Sequence, residues 1–134
     1  MSPVLTVGAL VQGPSERLLL VRTSKWSGLW GVPGGKVEYG EPLSVALRRE
    51  FREEVGLELF DLEFALLQEA IFDPEFYRSE HMILVNYLAQ VHQEEVNPNS
   101  EILAWHWLKL SEAAELPLNR VTRVLLAWFK EQRG

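Results

Sequence analysis

The sequence predicts a mixed α/β layer fold, and three observations predict it. Two apolar, strand-like runs open the chain, one strongly marked helix follows, and further strand-like segments lead to a closing helix. This order of strand, strand, helix, several strands and helix differs from the regular alternation of a doubly wound parallel sheet. The 134 residues are of single-domain size and show no repeat, low-complexity tract or linker, so residues 1–134 read as one domain.

Each element has a local reason. Residues 4–12 (VLTVGALVQ) form a buried strand, Gly13-Pro14-Ser15 a turn, and residues 17–22 (RLLLVR) a second strand. Residues 23–36 are rich in Gly, Ser and Trp and carry no clear period. The clearest helix runs from 42 to 55, with Pro42 where a first turn tolerates proline and Gly56 at the usual stop. Strands are expected at 58–71, which is long enough to bend, at 81–91 and at 102–109. The segment 72–80 (FDPEFYRSE) reads as a polar and aromatic loop. A last helix spans 120–131, with Asn119 as its N-cap and Val121, Val124, Leu125 and Trp128 on its apolar face.

Composition removes several functions. There are no cysteines, which excludes disulfide frameworks, thiolate zinc sites and thiol catalysis. The formal charge of −6 makes a poor surface for nucleic acid or anionic membrane, so neither is an expected partner. An acidic chain can still handle small phosphorylated ligands when divalent cations stand between carboxylates and phosphates. No apolar run approaches the roughly 20 residues that span a bilayer. The N-terminal MSPVLTVGALVQG lacks the basic region of a signal peptide, and a cytoplasmic protein is the expectation.

The helix EPLSVALRREFREEVGL is the chemically informative stretch. Glu50, Glu53 and Glu54 stand at i, i+3 and i+4 and share a face, while Leu47, Phe51 and Val55 make an adjoining core face. Three clustered like charges oppose the helix, although Arg48, Arg49 and Arg52 offset part of the repulsion. Taken alone, the cluster is either a solvated face or a site for a hard cation. Oxygen-only ligands would select Mg2+, Mn2+ or Ca2+. His81, His92 and His106 are scattered without metal-ligand spacing, and no Ser or Thr lies in a nucleophile elbow. Gly35-Lys36 does not open a P-loop, because position 30 is Trp and position 37 is Val.

From Gly35 to Leu57, GKVEYGEPLSVALRREFREEVGL resembles the Nudix box, Gly-x5-Glu-x7-Arg-Glu-U-x-Glu-Glu-x-Gly-U, where U is a bulky apolar residue. Gly35, Glu41, Arg49, Glu50, Glu53, Glu54 and Gly56 match, with Phe51 and Leu57 at the apolar positions. The preceding Trp30-Gly31-Val32-Pro33-Gly34 and the later Trp105-His106-Trp107 are similar to the flanking segments of that family.

The resemblance implies an α/β/α sandwich around a mixed sheet, with a loop–helix–loop catalytic motif. It also implies metal-dependent hydrolysis of a nucleoside diphosphate linked to a group X, with Mg2+ as cofactor and Mn2+ as a substitute. By matching positions, Glu50, Glu53 and Glu54 would ligate the metal, joined by the backbone carbonyl of Gly35. Arg49 would orient a glutamate, Glu41 would brace the motif through Arg49, and Gly56 would serve conformation. The general base would be Glu53 or Glu50, or a glutamate on a later loop (Glu94, Glu95 or Glu101), of which Glu101 is favoured as base or accessory ligand. The chemistry suits these residues, since a pyrophosphate repels a nucleophile until its charge is neutralised and a water is positioned.

For substrate contacts, Trp26, Trp30, Phe72, Phe76 and Tyr77 are candidates to stack a base, with Trp30 equally readable as core. Arg78 and His81 are candidates for a phosphate or sugar. The compact length favours a nucleoside triphosphate or a substrate of the ADP-ribose or nucleotide-sugar class. The alternative is a nucleotide-sensing module without turnover, and against it every acidic position of the motif is intact. The apolar first strand and Trp128-Phe129 read either as core or as part of a homodimer interface.

Overall fold

The computed structural model describes residues 1–133. Seven strands and three α-helices follow in the order β1 (Val4–Gln12), β2 (Leu18–Thr23), β3 (Trp30–Gly31), β4 (Gly34–Lys36), α1 (Leu43–Val55), β5 (Phe60–Ile71), β6 (His81–Gln90), β7 (Ile102–Leu108), α2 (Leu110–Ala113) and α3 (Arg120–Arg133). A single 3-10 turn, Ser24–Trp26, lies between β2 and β3.

The strands form a mixed sheet in the order β3-β2-β1-β6-β5, with β4 added to β1 and β7 to β2. Only β1 and β6 run parallel, in register from Val4↔Met82 to Gln12↔Gln90. β1 meets β2 at Gln12↔Leu18 alone and meets β4 over Thr6–Gly8. β2 then pairs with β3 and β7. The alternation of β1 decides the layers. Val7, Ala9 and Val11 point to one core with Leu47, Phe51 and Val55 of α1, while Leu10 points to the other with Leu125, Leu126 and Phe129 of α3. One helix therefore covers each face, and the architecture is the expected sandwich.

Both predicted helices are present, α1 starting one residue later than expected and α3 ending two residues later. Gly56 ends α1 in the left-handed region at φ 69°. Asn119 Oδ1 accepts from the Thr122 N–H at 2.9 Å and caps α3. Pro42 stands one position outside α1 as an extended N-cap. The long strand β5 bends at two register shifts, between Phe60 and Glu63 and between Phe64 and Leu66, with Asp61 at φ 54°. On α3, Val121 and Leu125 are buried but Val124 is exposed, because the apolar face turns toward Leu126 and Phe129 instead. Of the segments readable as core or dimer interface, Val7–Val11 and Phe129 are buried in the core, Trp128 is half-buried against it and Leu5 is exposed. Among the described residues no helix is long and apolar enough to cross a membrane.

Candidate active site

The last two turns of α1 face β4. Glu54 is 6% exposed and accepts a hydrogen bond from the Gly34 N–H at 3.2 Å. Glu50, one turn earlier, lies against Gly35, where a Cβ would come within 2.4 Å of its carboxyl carbon. Only glycine lets the carboxylate approach the backbone this closely. Burial, then a hydrogen bond with Glu50 and the charge of Glu50, push the Glu54 carboxyl up to about 9. Without a cation the two carboxyls can share a site only by keeping a proton.

Arg49 organises the other side. Its Nε and Nη2 donate to Glu41 at 2.7 and 2.9 Å, and Nη1 donates to Glu50 at 3.0 Å and to Glu53 at 3.4 Å. Nη2 also donates to the Lys36 carbonyl at 3.0 Å, tying α1 to the end of β4. The hydrogen bond from Arg49, helped by the Glu38 N–H, holds the Glu41 carboxyl down at about 2. Glu41 in turn raises the Arg49 guanidinium further above its already high range. Glu41 thus braces the loop ahead of α1 and stands one residue back from the Glu50–Glu54 pair.

Among the described residues no three acidic or histidine side chains converge as a ready-made metal cage. Glu53 is turned toward Arg49, 3.4 Å away, and its side chain is 56% exposed. The donor set still fits a hard divalent cation. Its atoms are all oxygen, and Glu54 is a buried carboxyl whose proton a cation would replace.

A cleft of about 180 Å3 opens beside this cluster. Gly34 and Gly35, which touch Glu54 and Glu50, also line it, so the carboxylates and the cleft share one strip of backbone. Its walls are apolar residues of β1, β6 and α3, and its rim carries Trp26, Phe76 and Tyr77 with Lys25, Lys36 and Arg78. Trp26 and Phe76 meet edge to face with centroids 4.8 Å apart, and the Arg78 guanidinium lies 5.1 Å from the Tyr77 ring centroid. Asn86 and Asn119 line it as well, both buried.

The predicted substrate residues divide. Tyr77 and Arg78 line the cleft, whereas Trp30 and Phe72 do not. Trp30 is packed into the α3 core, tilted on His106 with centroids 5.4 Å apart. Its backbone holds the entry to α3, through Trp30 N–H to Pro117 O and Asn119 N–H to Trp30 O, each at 2.9 Å. Phe72 adopts φ 51°, donates its N–H to the Glu80 carbonyl at 2.8 Å and leaves its ring 64% exposed outside the cleft. His81 also lies outside it, with Nε2 buried and unpartnered.

Among the later glutamates, Glu101 pairs with Lys25 of the cleft rim at 3.5 Å and contributes to raising Glu54. Glu94 is instead committed to the β1–β2 turn, accepting from the Ser15 N–H at 2.8 Å and its hydroxyl at 2.5 Å. Sequence reasoning missed Asn86, Lys25 and Thr122 as cleft residues and saw Asn119 only as a cap. Asn86 did carry a signal: it interrupts the apolar run MILVNYLA of a strand buried on both faces.

Comparison with known proteins shows the family. The NUDIX domain model matches residues 2–129. The m7GpppN-mRNA hydrolase NUDT17 of Xenopus laevis is 36% identical over 118 residues, covering 76% of this chain and 40% of that protein. The chain therefore spans less than half the length of that relative. The nucleoside triphosphatase NudI of Escherichia coli is 30% identical over 105 residues, 74% of each chain. The crystal structure of a MutT NUDIX hydrolase from Burkholderia pseudomallei superposes with a TM-score of 0.82 at 30% identity, covering 96% of this chain and 98% of that one. By motif, fold and these likenesses, the chain belongs to the Nudix hydrolase family.

Proposed function

We propose that this protein hydrolyses the pyrophosphate linkage of a nucleoside diphosphate joined to X, with a nucleoside triphosphate as the favoured substrate, in a Mg2+-dependent reaction. One observation carries the reading. The Glu50–Glu54 pair and the aromatic-edged cleft meet at Gly34 and Gly35, so a base in the cleft would lay its phosphates along the carboxylates.

Glu50, Glu53 and Glu54, with the Gly35 carbonyl, would hold the cation, and that cation would supply charge neutralisation at the phosphates and acidify a bound water. Arg49 keeps Glu50 in place through its 3.0 Å bond, and Glu41 keeps Arg49 in place. Glu53 is held by only one long contact of 3.4 Å, which leaves it free to turn inward and take the proton of the attacking water. Glu101, paired loosely with Lys25, is the accessory base or ligand at the rim.

The cleft floor bears on the base. The Asn86 Oδ1 already accepts from Gln68 Nε2 at 2.8 Å, and the Asn119 Oδ1 from Thr122 N at 2.9 Å. Both amide oxygens are therefore already engaged within the protein, and the Asn119 Nδ2 lies toward Gly31, so the floor offers a base mainly the apolar surface of Val7, Met82, Leu84 and Leu125. The relative NudI is a nucleoside triphosphatase, which favours a triphosphate as the substrate here.

The test is phosphate and pyrophosphate release from nucleoside triphosphates, ADP-ribose, nucleotide sugars and dinucleotides, with Mg2+ and then with EDTA. Metal-dependent release that disappears in Glu53→Gln and Glu54→Gln, with the fold retained, is expected. Full turnover in both variants would sink the site assignment. Silence across the panel with Mg2+ still bound would favour a sensing module.

A further inference from the structure

The loop 72–80 supplies the aromatic rim of the cleft, yet it is fastened at both sides like a strap. Asp73, buried, receives Arg120 Nε at 3.1 Å and caps its own loop by accepting from the Glu75 N–H at 2.9 Å. Glu75 Oε1 accepts the backbone N–H of Arg120 at 2.7 Å, at the first turn of α3, and its Oε2 lies 3.9 Å from Arg123. On the opposite side the Glu75 carbonyl accepts from the Ser27 hydroxyl at 2.8 Å, and the Lys25 carbonyl accepts from the Tyr77 N–H at 2.8 Å.

We infer that Asp73 and Glu75 are positioning residues for substrate binding: they latch the 72–80 loop to the N-terminal end of α3 and so fix the width of the cleft before any ligand arrives. This rests on the nucleotide-hydrolysis reading above. The two walls that must close on a base come from distant segments. Phe76 and Tyr77 stand on the strap, and Asn119 and Thr122 stand on the first turn of α3. No strand pairing joins the strap to α3. The polar link between them is made of the two carboxylates, Arg120 and Arg123, beside the packing of Phe76 on the cluster of Ala70, Met82 and Val121. An acceptor at a helix N-terminus is favoured by the free N–H groups there, and a carboxylate more than a neutral group. Asp73 is the costlier member, since its carboxylate is buried and Arg120 is its cationic partner.

A preformed wall means that substrate need not order the loop on binding, so the latch acts on affinity and leaves the chemical step alone. Among the described residues, the cluster at Glu50, Glu53 and Glu54 shares no hydrogen bond with it.

The experiment compares wild type, Glu75→Ala and Glu75→Gln with each common nucleoside triphosphate and Mg2+, together with hydrogen exchange of the backbone amides. Loss of one charge-assisted bond predicts a KM raised about tenfold in Glu75→Ala. We expect kcat to stay within about twofold. The amides of 72–80 should exchange faster while those of α1 and β1 keep their protection. Glu75→Gln, which retains the acceptor, should restore most of the KM. Should Glu75→Ala not fold, Glu75→Met, which keeps the length of the side chain and offers no oxygen acceptor, carries the same test. An active wild type with unchanged KM in a loosened loop overturns the inference alone, as does a fall in kcat with faster exchange throughout α1. A wild type that hydrolyses no triphosphate overturns the parent reading, and the latch with it.

Discussion

Arg49 grips Glu41 with two parallel hydrogen bonds, Nε to Oε2 at 2.7 Å and Nη2 to Oε1 at 2.9 Å, while its remaining arm holds Glu50 at 3.0 Å. Glu41 thus acts on the carboxylate cluster through one intermediary. Glu41→Gln should lower kcat about 10- to 100-fold, the usual scale for a residue that orients a metal ligand, with the fold retained. Steady-state kinetics beside a thermal melt checks this. Because the Glu41 carboxyl is held down at about 2 from an ordinary 4.5, its stabilising contribution is complete above pH 4.5 and is lost as pH falls toward 2. In Glu41→Gln that portion of the acid transition should vanish.

Glu54 behaves in the opposite sense. Its carboxyl is raised from 4.5 to about 9, so the folded protein holds a proton that the unfolded chain has released. Metal-free stability should therefore decline as pH rises from 4.5 toward 9, as far as this group decides it. On the proposed reading, in which Glu54 holds Mg2+, the ion would displace that proton, so binding should tighten with pH and release close to one proton per ion near neutrality. Calorimetry in two buffers of different ionisation enthalpy measures the release. Glu54→Gln should flatten the decline in EDTA and abolish the release.

Adjacent glycines should fail in different ways. At Gly34 a Cβ would lie 2.1 Å from the Val7 carbonyl, a backbone atom, so Gly34→Ala should destabilise the fold by about 3 kcal/mol. At Gly35 the obstacle is the Glu50 carboxyl, 2.4 Å away and able to move. Gly35→Ala should melt nearly as wild type and lose activity by about 100-fold through a displaced ligand. Denaturant titration and turnover, taken together, separate the two.

Three aromatic residues test the cleft. Tyr77→Ala should raise KM with kcat held, whereas Phe72→Ala, outside the cleft, should change neither. Trp30→Ala should instead cost about 2–3 kcal/mol of stability, because the ring fills the α3 core. Equal KM effects from Phe72 and Tyr77 would contradict the assignment.

What was legible in the sequence follows from what physics makes local. The limits of α1 and α3 are written by Pro42, Gly56 and Asn119, residues that act within one turn. The glutamate face of α1 is a matter of helical period. The two-residue strand β3 and the glycine-rich β4 have no period to read, and they exist because β1 and β2 offer them free edges. Trp30 was ambiguous because an indole suits both a core and a base. Its neighbours, His106 and Leu118, are far away in the chain and decide the matter. The strap's ties to α3 join residues 45 and 47 positions apart, a distance over which no local pattern speaks.

The parallel register of β1 with β6 has a consequence for how the molecule assembles. Val4 must find Met82, and Gln12 must find Gln90, so the central strand cannot settle until most of the polypeptide is available. Helix α1 and the β5–β6 hairpin are short-range units able to form earlier, whereas the loop closure that seats β1 is long and entropically slow. Until it happens, one edge of β6 has no partner strand. Gly34 and Gly35 pair with Gly8 and Val7 of β1, so the backbone strip beneath the carboxylates takes its final place in the sheet only when that strand does.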